Sequence, residues 1–302
     1  MEDAKRTVVG LGELLWDLLP SGKQLGGAPC NFAYITSLLG DAGIPASRVG
    51  GDSLGDEALR RLTHLGLTTA FVQHDSTHPT GTVKIEIDGS GQPRFDISEP
   101  VAWDFMDSTS AWQQLATKAD AVCFGSLAQR SLPSRTTIRD FLLATRPDAV
   151  RVFDVNLRQN FYSKQILAES MQLATIVKLN HEELPKILRL FEMENRSEEG
   201  SAHDLLSLYD LELVCITRGT AGSLLISSDD RSEHPGFKVK VADTVGAGDA
   251  FTAALVHGYL RQAPLAQINE TANRVGAWVA SQSGATPALR KSRLAQSLEE
   301  IG

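Results

Sequence analysis

Four short apolar runs, each ending in a polar or glycine residue, constrain this chain more than any other feature: AVCFGS (121–126), VRVFDVN (150–156), ATIVKLN (174–180) and LVCITRG (213–219). Runs this short and rich in Val, Ile and Phe read as strands buried on both faces, as in a parallel sheet. The stretches between them are long enough for helices. SRTTIRDFLLATR (134–146) and SAHDLLSLYD (201–210) carry apolar residues at helical spacing. The alternation predicts an α/β fold, a doubly wound and mainly parallel sheet with helices on both faces. Ligands of such sheets bind beyond the carboxyl ends of the strands, and those ends supply Asp154, Asn156, Asn180 and Thr217.

The segment TGTVKIEIDGSGQPRFDI (80–97) breaks the pattern. Val83, Ile85 and Ile87 alternate with Lys84, Glu86 and Asp88, and DGSGQP supplies a turn before Phe95 and Ile97, which predicts a β-hairpin with one apolar face. A hairpin alone is marginally stable, so this face must cover a pocket or meet a partner subunit. NRSEEGS (195–201) reads as a polar, solvated connector between helices, and no internal repeat or low-complexity tract interrupts the 302 residues.

Charge narrows the partners. A formal net charge of -8 leaves no broad basic surface for a polyanion, which argues against nucleic acid. No window approaches 18 uninterrupted apolar residues and the start, MEDAKRTVVGLGELL, lacks the apolar core of a signal peptide, so neither a membrane span nor export is expected. Cys30, Cys123 and Cys215 are odd in number and widely separated, the pattern of reduced thiols in a cytoplasmic protein.

The chemistry concentrates in ADTVGAGDAFTAALVHGYL (242–260). From Asp249 onward, Phe251, Ala254, Leu255 and Tyr259 share one face of a helix, and Gly246 and Gly248 permit a tight turn before it. The free amides of a helix start, with about half a positive charge from the aligned peptide dipoles, form an anion site. Asp249 is then either an N-cap or a base that takes a proton from an incoming hydroxyl while the amides hold a phosphoryl group.

DTVGAGD (243–249) resembles the signature of the ribokinase, or PfkB-like, carbohydrate kinases, and GGAPCN (26–31) resembles their diglycine motif. DVNLR (154–158), NHEE (180–183) and TRGTAG (217–222) match further motifs of that family in the expected order, so the resemblance covers nearly the whole chain. It implies a single ribokinase-like domain over residues 1–302, with a small β-sheet lid contributed by about 13–26 and 70–100. It implies ATP-dependent transfer of the γ-phosphoryl group to a primary hydroxyl of a sugar, with Asp249 as base and the backbone of Gly246, Ala247 and Gly248 as anion hole. Positioning and charge neutralisation suffice for such a transfer.

By the same resemblance, Asn180 and Glu183 help to place Mg²⁺ and phosphate, Glu183 through water, as suits an ion that keeps its hydration. Thr217, Gly219 and Gly222 line the ATP channel and Asn273 falls where adenine is contacted, a polar residue on a surface helix being the competing reading. Gly26, Gly27, Asn31 and Asp17 are the expected sugar contacts, and Arg158 reaches sugar or phosphate oxygens with its planar fork. Asp243, Val245 and the stretch around Gly284 would hold a monovalent cation, making K⁺ an activator. GELLWDLLP followed by GGAPCNFAY looks most like fructokinases, giving D-fructose 6-phosphate. The alternatives are 2-keto-3-deoxygluconate kinase, ribokinase, a nucleoside kinase, or a catalytically silent regulator that binds sugar and nucleotide. Homodimerisation through the lid is a further implication.

Two other signals do not mature. GLGELL (10–15) has Leu15 where a dinucleotide fingerprint needs its third glycine, and no P-loop spacing occurs. His74 and His78 are four apart but flank DST beside Pro79 with no cysteine near, a poor zinc site.

Overall fold

The structure, a computed structural model, describes residues 5–19, 22–87, 93–194, 196–288 and 291–301. In chain order its strands and helices are β1 (Thr7–Leu11), β2 (Leu15–Leu19), β3 (Gly22–Gly26), α1 (Ala28–Leu38), β4 (Ala42–Gly50), α2 (Ser53–His64), β5 (Val72–Asp75), β6 (Gly81–Ile87), β7 (Pro93–Ile97), α3 (Ser110–Lys118) and β8 (Ala121–Gly125). They continue with α4 (Leu132–Leu143), β9 (Val150–Asp154), α5 (Lys164–Leu173), β10 (Ile176–Asn180), α6 (Leu184–Phe191), α7 (Glu198–Tyr209), β11 (Leu213–Thr217), β12 (Ser223–Ile226), β13 (Arg231–His234), α8 (Ala247–Tyr259), α9 (Leu265–Ala280) and α10 (Lys291–Glu299).

Nine strands form one sheet in the order β13-β12-β11-β10-β9-β8-β1-β4-β5, with parallel pairing from β11 through to β5. β12 runs antiparallel to both its neighbours. Side-chain period decides what each face buries. Val9, Val122, Phe153, Val177 and Val214 point into one core with α3 to α7, while Val8, Cys123, Val152, Ile176 and Cys215 point into the other with α1, α2, α8 and α9. Cys30, Cys123 and Cys215 are all buried free thiols. The fold is the α/β architecture expected from the alternation of runs.

α1 is apolar nearly all round and buried from Pro29 to Leu38, because it lies between the sheet and α8. Two glycines let it come that close. A Cβ on Gly10 of β1 would fall 2.0 Å from the Pro29 carbonyl oxygen, and one on Gly43 of β4 would fall 1.9 Å from that of Ala33, one helical turn later. The pair fixes both the depth and the rotation of α1.

The second sheet has the order β3-β2-β6-β7, with β2 parallel to β6 and the other pairs antiparallel. The small sheet expected as a lid is therefore built from 15–19, 22–26, 81–87 and 93–97. Residues 72–75, assigned to the lid from sequence, are instead the edge strand β5 of the large sheet, since their backbone pairs with β4. The turn expected from DGSGQP falls largely on 88–92, outside the described residues, as do the side chains of Ile85, Ile87 and Phe95. Val83 and Ile97 are buried in the same apolar cluster as Trp103, so this part of the hairpin face is covered within the chain. The connector at 195–201 is also shorter than its polarity suggested. α7 begins at Glu198, where the Ser197 hydroxyl accepts the Gly200 amide and two glutamates occupy the first turn.

Gly10→Ala is expected to destabilise the protein by about 1–3 kcal/mol, the scale of an overpacked core. It should also lower any turnover, because α1 carries Asn31 into the site described below. Urea unfolding of the variant beside the parent checks the first effect.

Candidate active site

α8 starts where the glycine turn ends. Gly246 takes φ 78°, the left-handed region, and a Cβ there would lie 2.4 Å from that of Ala285, so both conformation and space require glycine. The first intrahelical bond runs from the Ala250 amide to the Gly246 carbonyl, so the amides of Gly248 and Asp249 precede it and point out of the helix start. The Ala247 amide lies 3.3 Å from the Thr244 carbonyl. Gly248 has an ordinary helical φ, and its own reason lies elsewhere: a Cβ would stand 3.2 Å from Lys178 Nζ.

Asp249 is the third helical residue and makes no capping bond to its own helix, which removes the N-cap reading. Its Oδ2 accepts a hydrogen bond from Asn31 Nδ2 at 2.8 Å, joining α8 to α1 across 218 residues of sequence. A small pocket opens beside it, lined by Ala28, Pro29, Cys123, Asp154, Asn156 and Thr252 among others. Burial, followed by the nearby Asp154 carboxylate, pushes the Asp249 carboxyl up to about 6, while Asn31, Lys178 and Arg158 pull it back. That is a value suited to a general base at neutral pH.

The other expected residues gather unequally. Asp17 on β2 is half-buried and pushed up to about 6, chiefly by burial, with Arg158 opposing. Its Oδ2 would be 2.3 Å from a Cβ on Gly26, and the Glu13 carbonyl 2.4 Å from one on Gly27, which adopts φ 106°. Each glycine of GGAPCN thus makes room for the protein's own atoms. Arg158 is exposed and acts electrostatically on Asp17, Glu13 and Asp249.

Asn180 and Glu183 close on each other: the Asn180 Oδ1 accepts the amides of Glu182 and Glu183, and Glu183 Oε2 accepts that of Asn180. Glu183 Oε1 accepts the Leu157 amide at 2.8 Å, tying this turn to the DVNLR loop. Both carboxylate oxygens are engaged, so this donor set fits a hydrated ion held mainly by nucleotide phosphates and touched through water, and not a direct ligand cage. Among the described residues no cluster of three or more His, Cys, Asp or Glu side chains could hold a metal ion.

Thr217 ends β11 and Gly219 and Gly222 follow it at positive φ, with a Gly222 Cβ excluded by the His234 carbonyl at 1.9 Å. Asn273 lies elsewhere: its amide nitrogen is buried against Ser223 Oγ and the carbonyl and side-chain oxygens of Asn269, a network that joins α9 to β12. Asp243 accepts the amides of Val245 and Gly284, so the three elements expected around a monovalent cation do meet. His78 pairs with Asp75 and stacks on Phe105.

Two functional neighbours escaped the sequence reading. Lys178, in the middle of ATIVKLN, is buried with Nζ 3.0 Å from each oxygen of Asp154. Burial works against its charge, yet the carboxylates of Asp154 and Glu183 hold it above the usual lysine range. Glu13, just after β1, is buried, and its Oε2 has no hydrogen-bond partner among the described residues; burial pushes it up to about 7, and Asp249 adds to the rise. A lone charge inside an apolar run was the available signal for Lys178.

A helix start with outward-pointing amides and a buried carboxyl of raised pKa beside a small pocket form an arrangement able to hold a phosphoryl group next to a proton acceptor. Residues 21–292 match the pfkB family carbohydrate kinases, and the chain belongs to that family. Among its relatives, an uncharacterized sugar kinase of Pyrococcus horikoshii is 31% identical, over 95% of this chain and 94% of its own. The crystal structure of that kinase in complex with ATP superposes with a TM-score of 0.82, covering 97% of this chain and 99% of the other. An Escherichia coli fructokinase is 29% identical over 92% of this chain and 94% of its own. The fructokinase of Vibrio cholerae O395, 26% identical in its form with fructose, ADP and calcium bound, superposes at 0.81 over 97% and 99%. Its double mutant with fructose, ADP and potassium bound, 25% identical, superposes at 0.82 over 99% of each chain. No helix among the described residues is long and apolar enough to cross a membrane.

Removing the carboxylate of Asp249 while keeping its shape checks whether it acts as a base. Asp249→Asn is expected to lower kcat by about 10²–10⁴-fold, the usual worth of general base catalysis, with sugar and nucleotide binding retained by calorimetry. In the parent, kcat/KM is expected to fall as pH drops through about 6, because protonated Asp249 can no longer accept the hydroxyl proton.

Proposed function

We propose that this carbohydrate kinase phosphorylates D-fructose with ATP at its primary hydroxyl, giving D-fructose 6-phosphate. The observation that carries the reading is the Asp249 carboxylate at a helix start, raised to about 6 and held by Asn31 beside a pocket. Asp249 accepts the hydroxyl proton as the oxygen attacks, and the amides of the 246–248 turn and of Asp249 hold the charge on the transferring phosphoryl group, with the Ala247 amide the weaker donor because the Thr244 carbonyl engages it at 3.3 Å. Asp17, Gly26, Gly27, Asn31 and Arg158 orient the sugar, and Thr217, Gly219 and Gly222 receive the nucleotide. Asn273 would act from behind the nucleotide wall, since its amide nitrogen is used within the fold. Mg²⁺, held by the nucleotide and backed through water by Asn180 and Glu183, neutralises phosphate charge. Asp243, Val245 and Gly284 form the proposed K⁺ site, consistent with the potassium-bound relative.

The charge around the pocket separates the sugars. Glu13, Asp17, Asp154 and Asp249 face Arg158 and Lys178, and the lysine is already spent on Asp154. Carboxyl groups accept from the hydroxyls of a neutral sugar and repel the carboxylate of 2-keto-3-deoxygluconate.

A coupled ADP-release assay across sugars checks this. Fructose is expected to give the highest kcat/KM, with 2-keto-3-deoxygluconate, ribose and nucleosides each at least about tenfold lower, a difference of about 1.4 kcal/mol in transition-state binding. A higher kcat/KM on any of these would replace fructose as the substrate.

A further inference from the structure

Asp154 and Asp249 both line the small pocket, one from the end of β9 and one from the start of α8. Two carboxylates facing one pocket oppose each other's ionisation. Lys178 intervenes. Its ammonium reaches both Asp154 oxygens at 3.0 Å, and it lies 3.2 Å from where a Gly248 Cβ would be, directly under the first turn of α8. The Thr252 hydroxyl completes the join, 3.0 Å from Asp154 Oδ2 and 2.9 Å from the Gly248 carbonyl. Asp154, Lys178 and Thr252 are each less than a tenth exposed, so little solvent screens the arrangement.

We propose that Lys178 is a positioning residue for the base: by pairing with Asp154 beneath the anion hole, it cancels the second carboxylate and leaves Asp249 free to ionise. The proposal rests on Asp249 being the base. The other groups that act on Asp249 are Arg158 from the loop after β9, the Asn31 amide from α1, Glu13 from the segment after β1, and the buried thiols Cys30 and Cys123, which are held neutral. Among the described residues the Asp154 carboxylate is hydrogen-bonded by Lys178 and Thr252, and of the groups just named Cys123 also feels its charge. Lys178 pairs directly with Asp154 and acts on Asp249 through its charge, and that attraction works with Asn31 and Arg158 against the lift from burial.

The test compares pH profiles of kcat/KM for the parent, Lys178→Gln, Asp154→Asn and the double variant, with the best sugar found for the parent. In Lys178→Gln the acid limb is expected to move up by about one pH unit, giving roughly tenfold lower kcat/KM near pH 6 that recovers as pH rises. In Asp154→Asn the limb is expected to move down, and in the double variant to return close to the parent position. A residue that only braces the fold would lower activity without moving the limb. An unmoved limb in Lys178→Gln, or a limb in the double variant that stays with Lys178→Gln, would overturn the proposal. If Lys178→Gln does not fold, the direction of the shift in Asp154→Asn decides. A parent inactive on every sugar would remove the proposed function instead; carbon-13 NMR titration of Asp249 in parent and Lys178→Gln then reads the same shift without turnover.

Discussion

The site depends on how closely the first long helix can approach the sheet. With Gly10 and Gly43 stripped of side chains, α1 rests its backbone against β1 and β4, and Asn31 emerges one helical turn above the diglycine turn, facing Asp249. Residues from opposite ends of the chain thereby meet in one hydrogen bond. Any side chain at those two strand positions would lift α1, and the amide that orients the base would leave with it. The diglycine works in the same way, giving space to the Asp17 carboxylate and the Glu13 carbonyl. Close packing here is a condition of the chemistry, not only of stability.

Electrostatics then set what the pocket can do. Burial raises Asp249, Asp17 and Glu13 together, so the cleft holds several carboxyl groups poised near neutrality. Such a cluster would protonate itself out of use without compensating charge. The compensation is uneven: Lys178 is sealed under the helix start, while Arg158 stays exposed. One cation is held within the frame, and the other stands exposed to solvent. This division explains how an acidic chain can host a phosphoryl transfer without a basic patch.

Much of this was legible in the sequence because it rests on local rules. The four apolar runs gave β8 to β11, since a strand buried on both faces has no alternative composition. Gly246 was legible because a left-handed turn before a helix needs glycine. The rest depends on contacts between distant segments. Lys178 hides in a strand because its partner Asp154 lies 24 residues away, and Glu183 spends its carboxylate on an amide of the 154–158 loop that no spacing reveals. Gly248 looked like a turn glycine and lies instead inside the helix, where a Cβ would crowd the lysine beneath it at 3.2 Å. Asn273 illustrates the limit of carrying a role by position, since its neighbours Ser223 and Asn269 recruit its amide into the frame. The edge strand at 72–75 was misplaced because a four-residue strand looks alike in either sheet.

The central claim is geometric, and a crystal soaked with fructose and a non-hydrolysable ATP analogue measures it directly. A primary hydroxyl oxygen is expected about 2.6–3.2 Å from an Asp249 oxygen, with the terminal phosphate against the amides of the glycine turn and helix start. A sugar seated with only secondary hydroxyls near that carboxylate, or a terminal phosphate held away from the glycine turn, would contradict it.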